Sequence, residues 1–296
     1  MYVTQNFQRA SNTLFFKSFS TYGQGLLYNR FCFPAPSTGK SERYEWFGEV
    51  PGVNEWIDER QIKAFKQFAY TLINKSWEST IGIQVEDYAD DPSGQINARI
   101  PMMAASFAEH PEILLYSLLA NGTVNLCFDG QPFFDAAHPA LYEEGAAYSN
   151  WVNGTGITAA LIQADFDTAR ALYQGYLKRN GIPVFIMPPT LTILHSPVLT
   201  APMEVAFKQK FVTGTGVDNL YYQIATPIAC GGLTGNDWFI LIETPIVKPF
   251  VFQTRKGINP EWDEIRRFHD RKLYYGVDAR YNMGYMFPQT AIMIDN

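Results

Sequence analysis

Between Trp46 and Asp91 the chain interleaves aromatic rings with charges and keeps no clean amphipathic period. A segment folding only onto its own core would separate the two, because apolar side chains must share one face to be buried together. Three of the six tryptophans lie here (Trp46, Trp56 and Trp77), and from Ser41 to Asp91 eleven acidic residues stand against five basic ones. Two readings fit this pattern. One is a charged surface subdomain with a few aromatic props. The other is a segment laid against other chains, where aromatic and Arg anchors dominate contact energy. Inside the stretch, Ile81, Ile83 and Val85 alternate with Gly82 and Gln84, which predicts a strand with one apolar face. Asp58-Glu59 ahead of Ile62, Phe65, Phe68 and Ala69 fits a short helix with acids at its start, or a strand.

Hydrophobic residues make up 47% of 296 and charged residues 18%, enough for one large domain or two small ones. The net charge of -6 lacks the basic balance of a protein that grips DNA by its phosphates. Cys32, Cys127 and Cys230 are scattered without CxxC spacing, which argues against a disulfide framework. The N-terminus lacks a basic start followed by an apolar run, and no apolar run reaches the ~18 residues of a membrane span, so no membrane partner is expected.

Residues 1–40 contain no Asp or Glu but carry Arg9, Lys17, Arg30 and Lys40, and read as an extended arm. Their charge is opposite to that of the next segment, so the two could pair within one chain or across neighbours, or the contrast is chance. Met103, Phe107, Leu114, Leu115, Leu118 and Leu119 recur at helical spacing, with Pro111 breaking the run or opening a second helix, and Asn121-Gly122 ending it. Asp90 or Asp91 is a candidate cap for that helix. Val124 to Phe128 reads as a strand, and a helix is expected from Asp165 to Arg179, stopped by Gly181 and Pro183. Pro183–Ile186, Leu191–Leu194, Leu220–Ala229, Trp238–Glu243, Phe250–Gln253, Lys272–Val277 and Tyr281–Phe287 are further strand candidates, and Pro202 opens a helix to about Phe211. Strands and helices mix without βαβ alternation, which favours α+β.

Candidate chemistry is sparse. Cys127 and His138 would be the nucleophile and base of a cysteine hydrolase, yet Asp129 beside the thiol would raise its pKa. The other reading makes Cys127 a small buried residue and Asp129-Gly130 a turn. The run Glu86–Asp91 lacks the spacing of a calcium loop and reads as a solvated acidic face or a partner for basic residues. His110, His138, His195 and His269 have no zinc-site spacing. Gly231-Gly232-Leu233-Thr234-Gly235 lacks the Lys-Ser/Thr end of a phosphate loop and reads as a hairpin turn. Arg266–Lys272 is the one basic cluster, either a nucleic-acid contact or an exposed helix face. No cofactor is implied.

Several motifs occur in a specific order. Trp46-Phe47-Gly48, Pro51, Glu55-Trp56, Asp58, Arg60, Asn74-Lys75, Glu78 and Asp90-Asp91 resemble the signature of the major head subunits of Mu-like phages and prophages. Cys127-Phe128-Asp129-Gly130-Gln131, with Phe134 through His138-Pro139, resembles that family's second signature. The resemblance implies an HK97-type α+β capsid fold. Its parts would be an N-terminal arm (1–40), an extended loop (41–91), a peripheral domain with a long spine helix (92–134), an axial domain (135–244) and peripheral return strands (245–296). It implies a structural protein, not an enzyme, that assembles with itself into hexamers and pentamers of an icosahedral shell around double-stranded DNA, touching that DNA only weakly. A tail or decoration module that self-associates is the alternative within phage biology. Trp46, Trp56 and Arg60 are the implied interface anchors, and Glu78, Asp90 and Asp91 candidates for charge pairs across subunits. Gly48 and Pro51 would shape the loop by backbone constraint. No long, charged helical scaffolding segment precedes the arm, so either scaffolding comes from a separate chain or the mature form begins near Met1; a separate scaffolding/protease protein, a portal and a decoration protein are the expected partners. The implied location is the virion, after assembly in the host bacterial cytoplasm.

Overall fold

The computed structural model describes residues 2–45, 69–89, 95–140, 146–176, 184–185, 189–212, 214–245, 247–263 and 270–296. The N-terminal elements are α1 (Tyr2–Tyr22), α2 (Tyr28–Phe31), β1 (Cys32–Pro36), β2 (Ser41–Tyr44), β3 (Tyr70–Ile73), β4 (Lys75–Gln84), α3 (Val85–Ala89) and α4 (Gln95–Ala120). After them come β5 (Trp151–Asn153), α5 (Ala159–Gly175), β6 (Thr190–His195), α6 (Thr200–Phe207), β7 (Thr226–Ala229) and β8 (Trp238–Glu243). The chain finishes with β9 (Phe250–Asp263), β10 (Lys272–Tyr285) and β11 (Ala291–Asp295).

One sheet has the order β1-β9-β10-β4 and a second β5-β11-β8-β6-β7, while β2 and β3 form a two-stranded ladder of their own. In β10 every second residue from Leu273 to Met283 is buried, the period-2 pattern of a strand with one face on a core. Tyr275, Val277, Ala279 and Tyr281 project onto Phe15 of α1 and Ile100, Met103 and Phe107 of α4. In the second sheet β8 is buried almost throughout. Trp238, Ile240 and Ile242 face α5 and α6, whereas Phe239 and Leu241 face a core shared with the first sheet. Cover on both faces explains why β8 reads as an almost unbroken apolar run and why β6 is buried from Leu191 to His195.

The N-terminal expectation is corrected: residues 2–22 are helical, not extended. No Gly or Pro occurs before Gly23, and Ser11, Phe15 and Phe19 recur every four residues. Phe15 is fully buried and stacks on Phe19 at 6.2 Å between ring centroids. Pro111 does not break α4, which runs 26 residues with Pro101 and Pro111 inside it. Proline there forfeits one helical hydrogen bond, but the turn is clamped from outside. The His110 ring lies 4.2 Å from that of Trp77, and its Nδ1 is 2.8 Å from the Tyr281 hydroxyl.

Other expectations shift in extent. Lys272–Val277 and Tyr281–Phe287 fuse into β10, and Phe250–Gln253 lengthens into β9. The helix predicted from Asp165 starts at Ala159, and only Thr226–Ala229 of Leu220–Ala229 is strand. Val124–Phe128 is a tight turn with a single bridge from Leu126 to Pro132, because Asn125 and Val124 bond back to the Asn121 carbonyl. The strand expected at Pro183–Ile186 lies partly outside the described residues, and Val184 and Phe185 are not strand. Residue 245 does not separate the sheets: β11 leaves β9 and β10 to pair with β5 and β8. Gly231–Gly235 is no hairpin turn, since β7 and β8 both pair with β6 and not with each other. Gly232 instead allows a close approach to α4, where a Cβ on it would stand 2.2 Å from the Tyr116 ring.

Two measurements test these contacts. Gly232→Ala should cost about 1–3 kcal/mol, the usual penalty of overpacking, read from the denaturant midpoint. Gly231→Ala meets nothing within 4 Å and should stay within about 0.5 kcal/mol of the parent. The second test concerns Glu112 of α4, whose Oε1 accepts the Tyr28 N–H at 3.0 Å. Burial raises its carboxyl above the ordinary 4.5, against the pull of the Tyr28 and Leu27 N–H groups. The folded protein therefore holds a proton that the unfolded chain has released, and stability falls as pH rises from about 4.5 through the raised value. Glu112→Gln keeps an oxygen for Tyr28 and should flatten that slope in urea titrations run at several pH values.

Candidate functional site

The charged aromatic stretch is mounted on the β2–β3 ladder. Ser41 pairs with Ile73 and Tyr44 with Tyr70, so the ladder brings residues 45 and 69 side by side. Behind it lies a buried polar network. Asn74 donates to Ser37 Oγ at 2.7 Å and to the Gly39 carbonyl at 3.0 Å. Gln253 of β9, fully buried, donates to Asn74 Oδ1 at 2.9 Å and to the Leu72 carbonyl at 3.2 Å, and accepts from the Tyr44 hydroxyl at 2.8 Å. The turn before β2 closes on Glu42, whose Oε1 accepts from the N–H groups of Thr38 and Gly39 and from Ser37 Oγ. Those bonds, the Thr38 N–H first, hold its carboxyl below the ordinary range. Each side-chain amide of the network is satisfied, so the ladder has one low-energy seat on the first sheet. Asn74 was visible in the sequence as a motif residue; its partner Gln253 was not, because one glutamine in an apolar strand carries no periodic signal.

The second motif folds into a knot at the joint between the sheets. Gly130 takes φ +83°, a value that favours glycine, and its N–H donates to the Cys127 carbonyl at 3.2 Å. The expected Asp129-Gly130 turn is therefore present. It aims Asp129 at His138, whose Nδ1 lies 2.6 Å from Asp129 Oδ2. The other ring nitrogen lies 3.0 Å from Asn150 Oδ1 and 3.3 Å from the Phe133 carbonyl. Asn150 in turn donates to the carbonyls of Phe133 at 2.8 Å and Pro288 at 3.1 Å. The side chains of His138 and Asp129 are 0% and 3% exposed, so the pair is sealed from water.

This geometry does not assemble the Cys127–His138 couple. Both imidazole nitrogens are engaged, by Asp129 on one side and by Asn150 and the Phe133 carbonyl on the other, and neither contacts the thiol that a general base would have to reach. Cys127 is buried, its sulfur 3.9 Å from the Met286 carbonyl. Burial pushes the thiol well above its ordinary value and the Asp129 charge adds to the shift. That is the reverse of an activated nucleophile.

Of the anchors expected from sequence, Trp46, Gly48, Pro51, Trp56, Arg60, Asp90 and Asp91 lie outside the described residues, as do the helix expected at Asp58–Ala69 up to residue 68 and most of the basic cluster. Glu78 is described: it is exposed on β4, opposite Asp278 of β10, and accepts from Thr80 Oγ1 at 2.9 Å. Arg271, at the end of the basic cluster, pairs with Glu86 at 2.6 Å. Among the described residues no group of three or more His, Cys, Asp and Glu could hold a metal, and no helix is long and apolar enough to cross a membrane.

Against this geometry stand the comparisons with known proteins. A family model described as Mu-like prophage major head subunit gpT matches residues 4–173 and 223–296. The Mu-like prophage FluMu major head subunit of Haemophilus influenzae is 26% identical over 270 residues, covering 89% of this chain and 64% of that protein. The major capsid protein of Escherichia phage Mu is 36% identical over 129 residues, 44% of this chain and 40% of that one. The chain thus spans less than two thirds of the length of either curated relative. A chain of the procapsid of bacteriophage JBD30 superposes with a TM-score of 0.57 at 26% identity, over 98% of this chain and 75% of that one.

His138→Ala would take away the buried partner of Asp129 Oδ2, while Oδ1 keeps the Gln131 N–H, a loss of about 1–3 kcal/mol. Chemical denaturation of the variant checks it. With Cys32, Cys127 and Cys230 all buried, an aromatic disulfide reagent should titrate no thiol in the native protein and all three after unfolding.

Proposed function

The chain belongs to the Mu-like prophage major head subunit gpT family and has the HK97-type capsid fold, and on that premise we propose that it is the structural subunit of a phage head. Copies would form hexamers and pentamers that close into an icosahedral shell around double-stranded DNA. The β1-β9-β10-β4 sheet with α4 as spine would be the peripheral domain. The β5-β11-β8-β6-β7 sheet with α5 and α6 would be the axial one.

The observation that carries this reading is the satisfied network behind β2 and β3, joining Asn74, Gln253 and Tyr44. A surface strand pair needs no such seat for its own sake. A platform that must present residues 45–69 to neighbouring subunits does, because a loosely held contact costs conformational entropy at each association. Trp46, Trp56 and Arg60 would be the anchors on that segment, Gly48 and Pro51 its shapers, and Glu78, Asp90 and Asp91 charge partners across subunits. The chain would act without catalysis; the hydrolase alternative finds no support in the Asp129–His138 knot. Scaffolding and protease functions, portal and decoration would come from other chains, assembly would occur in the host cytoplasm, and the net charge of -6 suits a wall that does not stick to packaged DNA.

The test is assembly of the purified protein, alone and with its scaffolding partner co-expressed, followed by sedimentation and negative-stain electron microscopy. Closed shells or rings of five and six are the expected products. Trp56→Ala and Arg60→Ala should stay folded and soluble but yield few closed shells. Wild-type shell yields from both variants would remove them from the interface, and dispersed monomers under every condition would overturn the reading.

A further inference from the structure

Four strands end the two larger sheets, β1 and β4 on one and β5 and β7 on the other, and three of them are closed to a further strand. β5 is three residues long, and β7 is four with Pro227 inside it. On β1 the N–H of Ser37, just past the strand, points inward to the Thr254 carbonyl at 2.9 Å. Backbone groups point to alternate sides along a strand, so Pro34 and Pro36 fall on the outer edge, where proline offers no N–H. Short length and edge proline are ordinary means of blunting a sheet edge. β4 has neither. It is ten residues long without a proline and pairs with β10 from Lys75 to Gln84 without a register shift. Among the described residues no strand pairs with its other edge.

The two faces beside that edge differ. Toward the core, Trp77, Ile81 and Val85 are half-buried at the rim of the clusters around Tyr275 and Ile83. Toward solvent lie Ser76, Glu78 and Thr80, all exposed. One strand further in, Arg280 of β10 stands in register between Ser76 and Lys256 of β9. Its Nε is buried and has no hydrogen-bond partner among the described residues. Asp278, two residues away on the same face, is engaged by Lys256 at 2.7 Å. A guanidinium held in that state is costly until an acceptor reaches it. Serine is short, so a carboxylate on a strand laid along β4, opposite Ser76, would meet the guanidinium over it. The span is two strand spacings of about 4.8 Å each, within the combined reach of the two side chains.

We infer that the outer edge of β4 takes a strand from a different polypeptide, one with a carboxylate opposite Ser76, a base opposite Glu78 and apolar side chains opposite Trp77 and Ile81. In strand addition the backbone bonds supply affinity and the alternate side chains supply selection. The sequence argues against a second copy of β4 as the occupant. Residues opposite each other in a continued sheet share a face. Laid antiparallel on itself in the registers that cover most of its length, β4 sets Ser76 against Thr80, Gly82 or Gln84, none of them an acid, and the first of these also sets Glu78 against Glu78. The other open-edged strands are five residues or shorter. The inference does not depend on the shell reading.

The experiment uses the full chain and two fluorescent, C-terminally amidated peptides. One is Thr-Val-Thr-Val-Thr-Ile-Lys-Val-Glu; the other has its Lys and Glu exchanged. Laid antiparallel from Gln84, the first sets its Lys against Glu78 and its Glu against Ser76. By fluorescence anisotropy the first peptide should bind about tenfold more tightly than the second, the scale of one charge-assisted hydrogen bond. Hydrogen exchange should slow in β4 when it binds. Arg280→Gln, with the parent's thermal midpoint, should weaken the first peptide about tenfold and spare the second. Unchanged β4 exchange at millimolar peptide, or equal affinities of the parent for both peptides, would overturn the inference. Protection of β4 that grows with protein concentration in the absence of peptide would make a second copy the occupant and overturn it as well.

Discussion

Both sheets depend on one aromatic joint. Phe133, fully buried, stacks on Tyr285 of β10 at 4.6 Å between centroids and leans on Phe250 of β9 at 5.3 Å. Its neighbour Phe134 packs on Phe239 of β8 at 5.5 Å and fills the space where Gly122 has no Cβ. Two adjacent rings thus face two different sheets, and the turn that carries them is fixed by the Asp129–His138–Asn150 knot. Without that turn each sheet would present an uncovered apolar face to water. Rings of this size contribute largely through buried area, so the joint can be stable only if the turn places them correctly.

The two polar knots perform a task that the apolar contacts cannot. Apolar packing is tolerant of sliding by a rotamer or a half-turn, whereas a buried amide or carboxylate left unpaired is costly. Asn150 ties the second sheet's edge to the Pro288 carbonyl just before β11, and Gln253 ties the ladder to β9. These bonds specify which of several similar apolar arrangements the chain takes.

Much of this architecture was legible in the residues. The apolar run Trp238–Glu243 bounds β8 as it stands, and the spacing of Met103, Phe107, Leu115 and Leu119 marks the buried face of α4. What could not be read was governed by partners distant in sequence. Residues 2–22 hide a helix because its apolar stripe is thin and its packing partner, α4, begins some seventy positions later. Pro111 is tolerated through Trp77 and Tyr281, neither of which is near it in the chain. Gly231-Gly232 resembles a hairpin turn until β6 is seen to lie between β7 and β8. Of the site, the second motif contained both Asp129 and His138, but nothing in it signalled the bond between them that turns a would-be catalytic histidine into a rivet. The interface roles of Trp46, Trp56 and Arg60 rest on the resemblance.

The β2–β3 ladder also has a mechanical side. Tension applied anywhere between residues 46 and 68 enters the fold through Tyr44 and Tyr70 at once, and those two residues are register partners. Both strands are then drawn in the same direction, so the ladder's own hydrogen bonds carry little shear. The load passes to the far end, where the Asn74 N–H holds the Lys40 carbonyl at 2.9 Å and Asn282 holds the Ile73 carbonyl at 2.8 Å. From there it spreads into β9 and β10, the longest strand pair among the described residues. The fold acts as a strain-relief clamp, passing a tug on a surface segment to its most extensively bonded strands without peeling the ladder that bears it.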